Sequence, residues 1–170
     1  MKIILTILFL SVFAFGQADS KKKFDKNACD VLSNEYLAEK MNWNAKMIKK
    51  DETKFRRASV CTINHGEENM LVRIGEKSEK AIARKSLEKQ YAGFLKNGEE
   101  GLKYMEIDSD ENTQILYAAG EEKFGFTTFI ARKRFGNERN FRVEIRSKTR
   151  NENDAKALVL EMVEKGNSLN

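Results

Sequence analysis

Arg139-Asn140-Phe141-Arg142-Val143-Glu144-Ile145-Arg146-Ser147 alternates between apolar and polar residues without a break. Successive side chains of a strand point to opposite faces, so Phe141, Val143 and Ile145 share one side. Asn140, Arg142, Glu144 and Arg146 share the other. A strand of this kind offers one face to a core and one to polar surroundings, the habit of antiparallel sheets. Upstream, residues 102–107, 113–119 and 125–134 also read as strands. They are separated by Asp108-Ser109-Asp110-Glu111-Asn112, Gly120-Glu121-Glu122 and Phe135-Gly136-Asn137-Glu138. Links this short join antiparallel neighbours, and the four runs are expected to form a meander.

Helical spacing brackets the meander. Ala155, Leu158, Val159, Met162 and Val163 follow the i, i+3, i+4, i+7, i+8 stripe of a helix laid on a sheet. This helix is expected to begin near Asn153 or Asp154 and to stop at Gly166. Another follows Ser78, with Ala83, Leu87, Tyr91, Phe94 and Leu95 on one face and Asn97-Gly98 as its stop. Before it, 58–64 and 70–75 read as a hairpin with a loop of about five residues, with Cys61, Ile63, Met70, Val72 and Ile74 inward. The first helix takes Ser33 as its N-cap, Leu32 and Leu37 form a hydrophobic staple, and Asn42-Trp43-Asn44 ends it. Trp43 is expected to close that end against the core. Residues 46–57 read as a charged connection. The order α-β-β-α-β-β-β-β-α makes an α+β fold with an antiparallel sheet of about six strands and three helices. It occupies one domain, 27–170.

The start of the chain bears on compartment. Met1-Lys2 is positive, and residues 3–15 are apolar apart from Thr6 and Ser11. Small residues then flank two cleavage points, after Gly16 and after Ala18, which is the layout of a secretory signal peptide over 1–18. The apolar run is short against the roughly 20 residues a spanning helix needs. Residues 19–26, with Lys21-Lys22-Lys23 and Lys26, read as a flexible basic tail. About 150 residues remain, enough for one substantial core. The expectation is an exported chain, periplasmic or extracellular, with no transmembrane segment in its mature form. Its 31 Lys and Arg against 26 Asp and Glu give a net charge of +5. That mild excess favours acidic partners without fixing one.

Cys29 and Cys61 are the only cysteines. In an exported chain two cysteines within ordered segments are expected to pair, stabilising the fold by about 3–4 kcal/mol in the chain-entropy model. Free core thiols or a metal pair are the alternatives. A single histidine leaves the usual four-ligand zinc site short, and no Cys-x-x-Cys spacing marks a redox pair. The segment Ala28-Cys29-Asp30-Val31-Leu32-Ser33, the capped helix after it and Cys61 in a strand resemble a broad group of small exported bacterial domains. That group carries a Cys-Asp-x-Leu…Cys-x-Tyr signature, is often lipid-anchored and mostly of unknown function, and has related folds that include the PsbP-like α/β/α sandwich. Ile63 stands where the group often has tyrosine, and no lipid-attachment cysteine is present. The resemblance implies an α+β domain with a disulfide, and brings no catalytic residue with it.

No catalytic constellation emerges from the residues. His65, beside a turn, has no nucleophile motif with it. Asp108-Ser109-Asp110-Glu111-Asn112 begins like a calcium loop, but Thr113 replaces the required glycine and Ala119 the closing glutamate. No phosphate-binding glycine loop is present, and no cofactor or metal is expected. Charge is the informative feature. Residues 99–123 hold eight acidic side chains and two lysines, whereas 132–150 hold eight basic side chains and two glutamates. One reading pairs these charges across neighbouring strands. The sharper reading is a basic sheet face built from Arg132, Arg134, Arg142 and Arg146, turned to solvent and binding an anion. Anionic lipid, acidic glycan or acidic protein would then be the partner. Export and the lack of a recognition motif argue against nucleic acid. A non-enzymatic binding module is therefore expected. An enzyme or enzyme accessory with dispersed carboxylates and arginines, or a structural component of a cell-surface complex, is the alternative. Oligomeric state is left open.

Overall fold

The computed structural model describes residues 24–166. The leader expected at 1–18 and tail residues 19–23 lie outside the described residues. The rest of the expected tail is not free: Phe24 is buried in the main core and its N–H donates to Phe55 O at 3.2 Å. Packing is thus established three residues before Asn27.

Seven strands form one sheet: β1 (Lys49–Lys54), β2 (Ala58–His65), β3 (Glu68–Glu76), β4 (Met105–Ser109), β5 (Thr113–Glu121), β6 (Thr127–Phe135) and β7 (Arg139–Ser147). Their spatial order is β1-β2-β3-β7-β6-β5-β4, and every neighbouring pair is antiparallel. Helices α1 (Asn34–Met41), α2 (Glu79–Arg84), α3 (Leu87–Asn97) and α4 (Glu152–Glu164) complete an α+β fold. Strand β7 has the bounds its alternation implied. Strand β1 was read as a connection because, as an edge strand with no buried residue, its Lys-Lys-Asp-Glu-Thr-Lys carries no apolar period.

Three local differences have clear causes. The β2–β3 loop is a two-residue turn rather than five, since His65 pairs with Glu68 and Gly66 takes φ +61°, as a tight hairpin turn requires of its first central residue. The helix after Ser78 is two helices. Ser86 accepts a hydrogen bond from Lys89 N–H and starts a new N-terminus, so Ala83 and Leu95 fall on the exposed side. The strand expected at 102–107 begins at Met105 instead, because residues 98–102 close a tight loop. Gly98 has φ +70°, and a Cβ there would lie 2.3 Å from Leu102 O, so only glycine fits.

The sheet is covered on both faces. On one side Phe141, Val143 and Ile145 meet Met70, Val72, Phe129 and Ala131, under Leu37 of α1 and Val159 and Met162 of α4. Each such large side chain contributes about 1.5–3 kcal/mol by leaving water. The Cys29–Cys61 disulfide is formed and ties the segment before α1 to β2. Around it, Ala28 N–H donates to Ser59 Oγ at 2.9 Å, and Lys50 Nζ donates to the carbonyls of Cys29 and Leu32. The opposite face holds a smaller apolar cluster of Leu116, Ala118 and Ile130, closed by Tyr91 and Phe94 of α3 and by Tyr104. The arginine-bearing side of β6 and β7 was expected to look into solvent; part of it lies beneath α3. No helix among the described residues is long and apolar enough to cross a membrane.

Candidate functional site

Register brings three arginines abreast. Arg142 on β7 stands opposite Arg73 on β3 and opposite Arg132 on β6. All three belong to the polar phase of strands whose other phase, including Val72, Val143 and Ala131, fills the main core. Adjacent strands lie about 4.8 Å apart, so the row spans roughly 10 Å across the sheet.

Helix α3 roofs this row. Leu87, Gln90, Tyr91 and Phe94 recur at i, i+3, i+4 and i+7 and face the sheet, and with the three arginines they bound a cavity of about 250 Å3. At the start of the helix Glu88 N–H donates to Asn137 Oδ1 at 3.1 Å in the β6–β7 turn, and the last bond of the helix itself runs from Gly98 N–H to Phe94 O at 2.8 Å. The turn at Gly98 delivers Glu99 to Arg132, with which it forms an ion pair. The Arg132 guanidinium also lies 4.5 Å from the centre of the Phe94 ring and 5.3 Å from that of Tyr104, and Nε donates to Tyr104 Oη at 2.9 Å. Arg132 is therefore fixed in place by protein groups.

Its neighbours are less committed. Arg142 pairs through Nη2 with Glu144, while its Nε is buried without a hydrogen-bond partner. Arg73 and Arg57, both exposed and both lining the cavity, have no side-chain hydrogen bond or ion pair among the described residues. Tyr91 is 2% exposed, and its hydroxyl has no partner among them either. Burial lifts the Tyr91 phenol well above its ordinary range, against the pull of Arg132 and Arg134, so it stays protonated and able to donate. Lys77 adds a fifth cation, its Nζ donating to Lys85 O at 2.7 Å. The carboxylates of Glu76 and Glu99 also line the cavity.

Of the four arginines singled out in the sequence, Arg132 and Arg142 meet here and two do not. Arg134, expected in a solvent-facing patch with Arg132, is 8% exposed and donates to Gln114 Oε1 at 3.0 Å. Arg146 lies along the same face, with Nε 2.7 Å from Glu122 Oε2 and its guanidinium 4.2 Å from the centre of the Phe126 ring. Glu99–Arg132 and Glu122–Arg146 are thus pairings between the acidic and basic stretches. Arg73 and Arg57 escaped the sequence reading. Alternation in the β2–β3 hairpin does turn Arg73 outward between Val72 and Ile74, but only strand order sets it beside Arg142.

His65 sits in a separate, more open cleft. Its ring stacks on Trp43 with centroids 5.0 Å apart, and Nε2 accepts the Asn44 N–H at 3.1 Å. The nearby Glu68 receives Trp43 Nε1 at 2.7 Å and Arg150 Nη2 at 3.0 Å, so it is engaged structurally. Trp43, 6% exposed, packs in the core as its position implied. In the acidic turn, Asp110 accepts from the N–H groups of Asn112 and Thr113 and from the Thr113 hydroxyl, which occupies its oxygens locally. Among the described residues no three His, Cys, Asp or Glu side chains are grouped to hold a metal. The arginine row under α3 offers guanidinium donors of the geometry that suits phosphate and carboxylate groups. Comparison of the chain with protein-family models, curated proteins and solved structures gave no match.

Proposed function

We propose that this chain is an exported binding module that holds an anionic group on the arginine-bearing side of its sheet, in the cavity between α3 and strands β3, β7 and β6. The observation that carries this reading is the set of cationic donors without protein partners. Arg73, Arg57 and Arg142 line one cavity, with Arg142 Nε buried and unpartnered, whereas Arg132 and Arg134 on the same face donate to protein acceptors and Arg146, outside the cavity, is ion-paired with Glu122. An unpartnered buried donor costs about 1–3 kcal/mol, and adjacent like charges add to that. An incoming phosphate or carboxylate relieves both, through the fork geometry that suits guanidinium. The anionic group belongs to a lipid, a glycan, a protein or a free molecule, and the same arginines serve each.

Export is supported by the leader-like start and by the disulfide, a bond typical of oxidising compartments. Intact mass of the protein from its native host should place the first residue at Gln17 or Asp19. Retention of residues 3–15 would sink the export reading.

Binding is tested with a charge-matched pair of variants. Arg73→Gln/Arg142→Gln empties the site, whereas Lys46→Gln/Lys49→Gln removes the same charge from exposed positions at the start of β1 and just before it. Titrations with inorganic phosphate, phosphatidylglycerol vesicles and heparin fragments at low and moderate salt should show parent binding to at least one probe. The arginine variant should weaken it by about ten-fold or more, and the lysine variant should leave it nearly intact. Equal loss in both variants would reduce the effect to net charge and overturn the assignment.

A further inference from the structure

We infer that the cavity takes a small hydrophilic phosphate monoester, with its phosphate on Arg73 and Arg142 and a short hydroxylated body between the amides of Gln90 and Asn140. This rests on the anion-binding assignment above and deepens it to the head group, size and polarity of the ligand.

Polarity comes first. Leu87, Tyr91 and Phe94 are buried, and the Arg132 guanidinium already lies against the Phe94 ring, so an aryl or acyl group finds no open apolar wall. What is uncommitted here is polar. Gln90 and Asn140 both line the cavity, and neither amide has a side-chain hydrogen bond among the described residues. Asn140 lies two residues before Arg142 on the same side of β7, opposite Gly75 on β3. A Cβ at Gly75 would stand 3.2 Å from Asn140 Oδ1, so glycine there leaves that amide its space beside the arginines. An amide both donates and accepts, which is what a hydroxyl group needs from a partner.

The remaining uncommitted groups only donate to a ligand. Arg142 Nε is buried without an acceptor, Arg73 is exposed with its whole fork unpaired, and the Tyr91 hydroxyl is partnerless among the described residues. Such a set calls for a head rich in acceptors, and phosphate offers three strong acceptor oxygens.

Charge favours phosphate over carboxylate. Arg57, Arg73, Lys77, Arg132 and Arg142 line the cavity against the carboxylates of Glu76 and Glu99. Glu144, paired with Arg142, adds a third carboxylate and leaves two positive charges over. A phosphate monoester carries about −1.5 to −2 near neutrality and cancels them, whereas a monocarboxylate leaves one. The cavity, about 250 Å3, lies below the roughly 300–1,000 Å3 usual for drug-sized ligands. A polymer or an acyl chain would extend out of it.

Calorimetric titration tests the inference with glycerol phosphate and glucose phosphate as matched probes. Inorganic phosphate serves as head alone, glycerate as the carboxylate counterpart and phenyl phosphate as the same head on an apolar body. Phosphatidylglycerol vesicles and heparin stand for membrane and polymer. The better matched probe should bind about three- to ten-fold more tightly than inorganic phosphate or phenyl phosphate, the gain from one or two added hydrogen bonds. It should exceed glycerate by about ten-fold. Gln90→Ala, on a helix where alanine is well tolerated, should abolish the preference over inorganic phosphate and leave inorganic phosphate binding unchanged. Arg73→Gln, at an exposed position, should weaken every phosphate probe. Equal affinity for inorganic phosphate and the matched probes, a preference for phenyl phosphate or glycerate, or an undiminished preference in Gln90→Ala would overturn the inference and leave the arginine assignment standing. Binding of vesicles or heparin without any small phosphate would do the same. Failure of every anionic probe would remove both.

Discussion

Arg73 and Arg142 face each other directly across the β3–β7 pair, two like charges in register, and Arg142 repeats the arrangement with Arg132 on its other side. Directly opposed like charges destabilise a sheet. Glu99 and Glu144 compensate Arg132 and Arg142, and Arg73 has no such partner among the described residues. A position selected for stability alone would carry a threonine or a glutamate at residue 73.

The empty protein should therefore gain from losing Arg73. Arg73→Gln is expected to stabilise it by about 0.5 kcal/mol, a rise of roughly 1–2 °C in melting temperature for a chain of this size. Scanning calorimetry in chloride buffer measures this. A clear fall in melting temperature would mean that Arg73 is structural and would undercut its place in the site.

Reduction of Cys29–Cys61 should destabilise the domain without emptying the cavity. The cysteines are 32 residues apart, for which the loop-entropy model gives about 3–4 kcal/mol. They lie on the helix-α1 side of the sheet, away from α3. Urea midpoints with and without reductant should differ accordingly, and small-anion binding by the still-folded reduced protein should be unchanged. Free labelling of both thiols in the native, unreduced protein would contradict the bond itself.

Acid sensitivity should trace to Glu68. Burial opposes its ionisation, yet hydrogen bonds from the Ser147 hydroxyl, Trp43 and Arg150 outweigh that and hold the carboxyl below its usual range. A carboxyl lowered on folding contributes stability that is present above the unfolded value, about 4.3, and is lost as pH falls through the lower folded value. Glu68→Gln should flatten the acid limb of stability against pH below about pH 5. It should also cost about 1–3 kcal/mol near neutrality, since Arg150 loses its counter-charge. Trp43, the only tryptophan, reports the change by fluorescence. An acid limb with the same slope in the variant would shift responsibility to another carboxylate.

What the sequence disclosed followed from periodicity. Strand β7 was readable because its apolar phase is buried and its polar phase is not, and α1 because Ser33 caps it by accepting the Tyr36 N–H. Strand β1 hid because, at the edge of the sheet and with no buried residue, it carries no apolar period. The break at Lys85 hid because Ser86 reads equally well as a surface residue within one long helix. The site was half legible. Arg132 and Arg142 stood out in a basic run, but Arg73 and Arg57 come from segments more than fifty residues earlier. Their place depends on β3 lying beside β7, a long-range pairing that no local pattern encodes. The roof was equally hidden, since Tyr91 and Phe94 look like ordinary core residues until the arginines beneath them are known.

The sheet that carries the arginines is backed by Phe141, Val143 and Ile145, each almost fully withdrawn from water. That backing is a slab of low permittivity one residue behind the guanidinium groups. Field lines from Arg73, the one arginine of the row that Glu99 and Glu144 leave uncompensated, spread poorly through it and favour the solvent side of the sheet. The packed core therefore shapes the electrostatic field as well as stabilising the fold. A negatively charged molecule drifting past would feel a pull directed at Arg73 over about a Debye length, and that pull would shorten as the ionic strength of the surroundings rises.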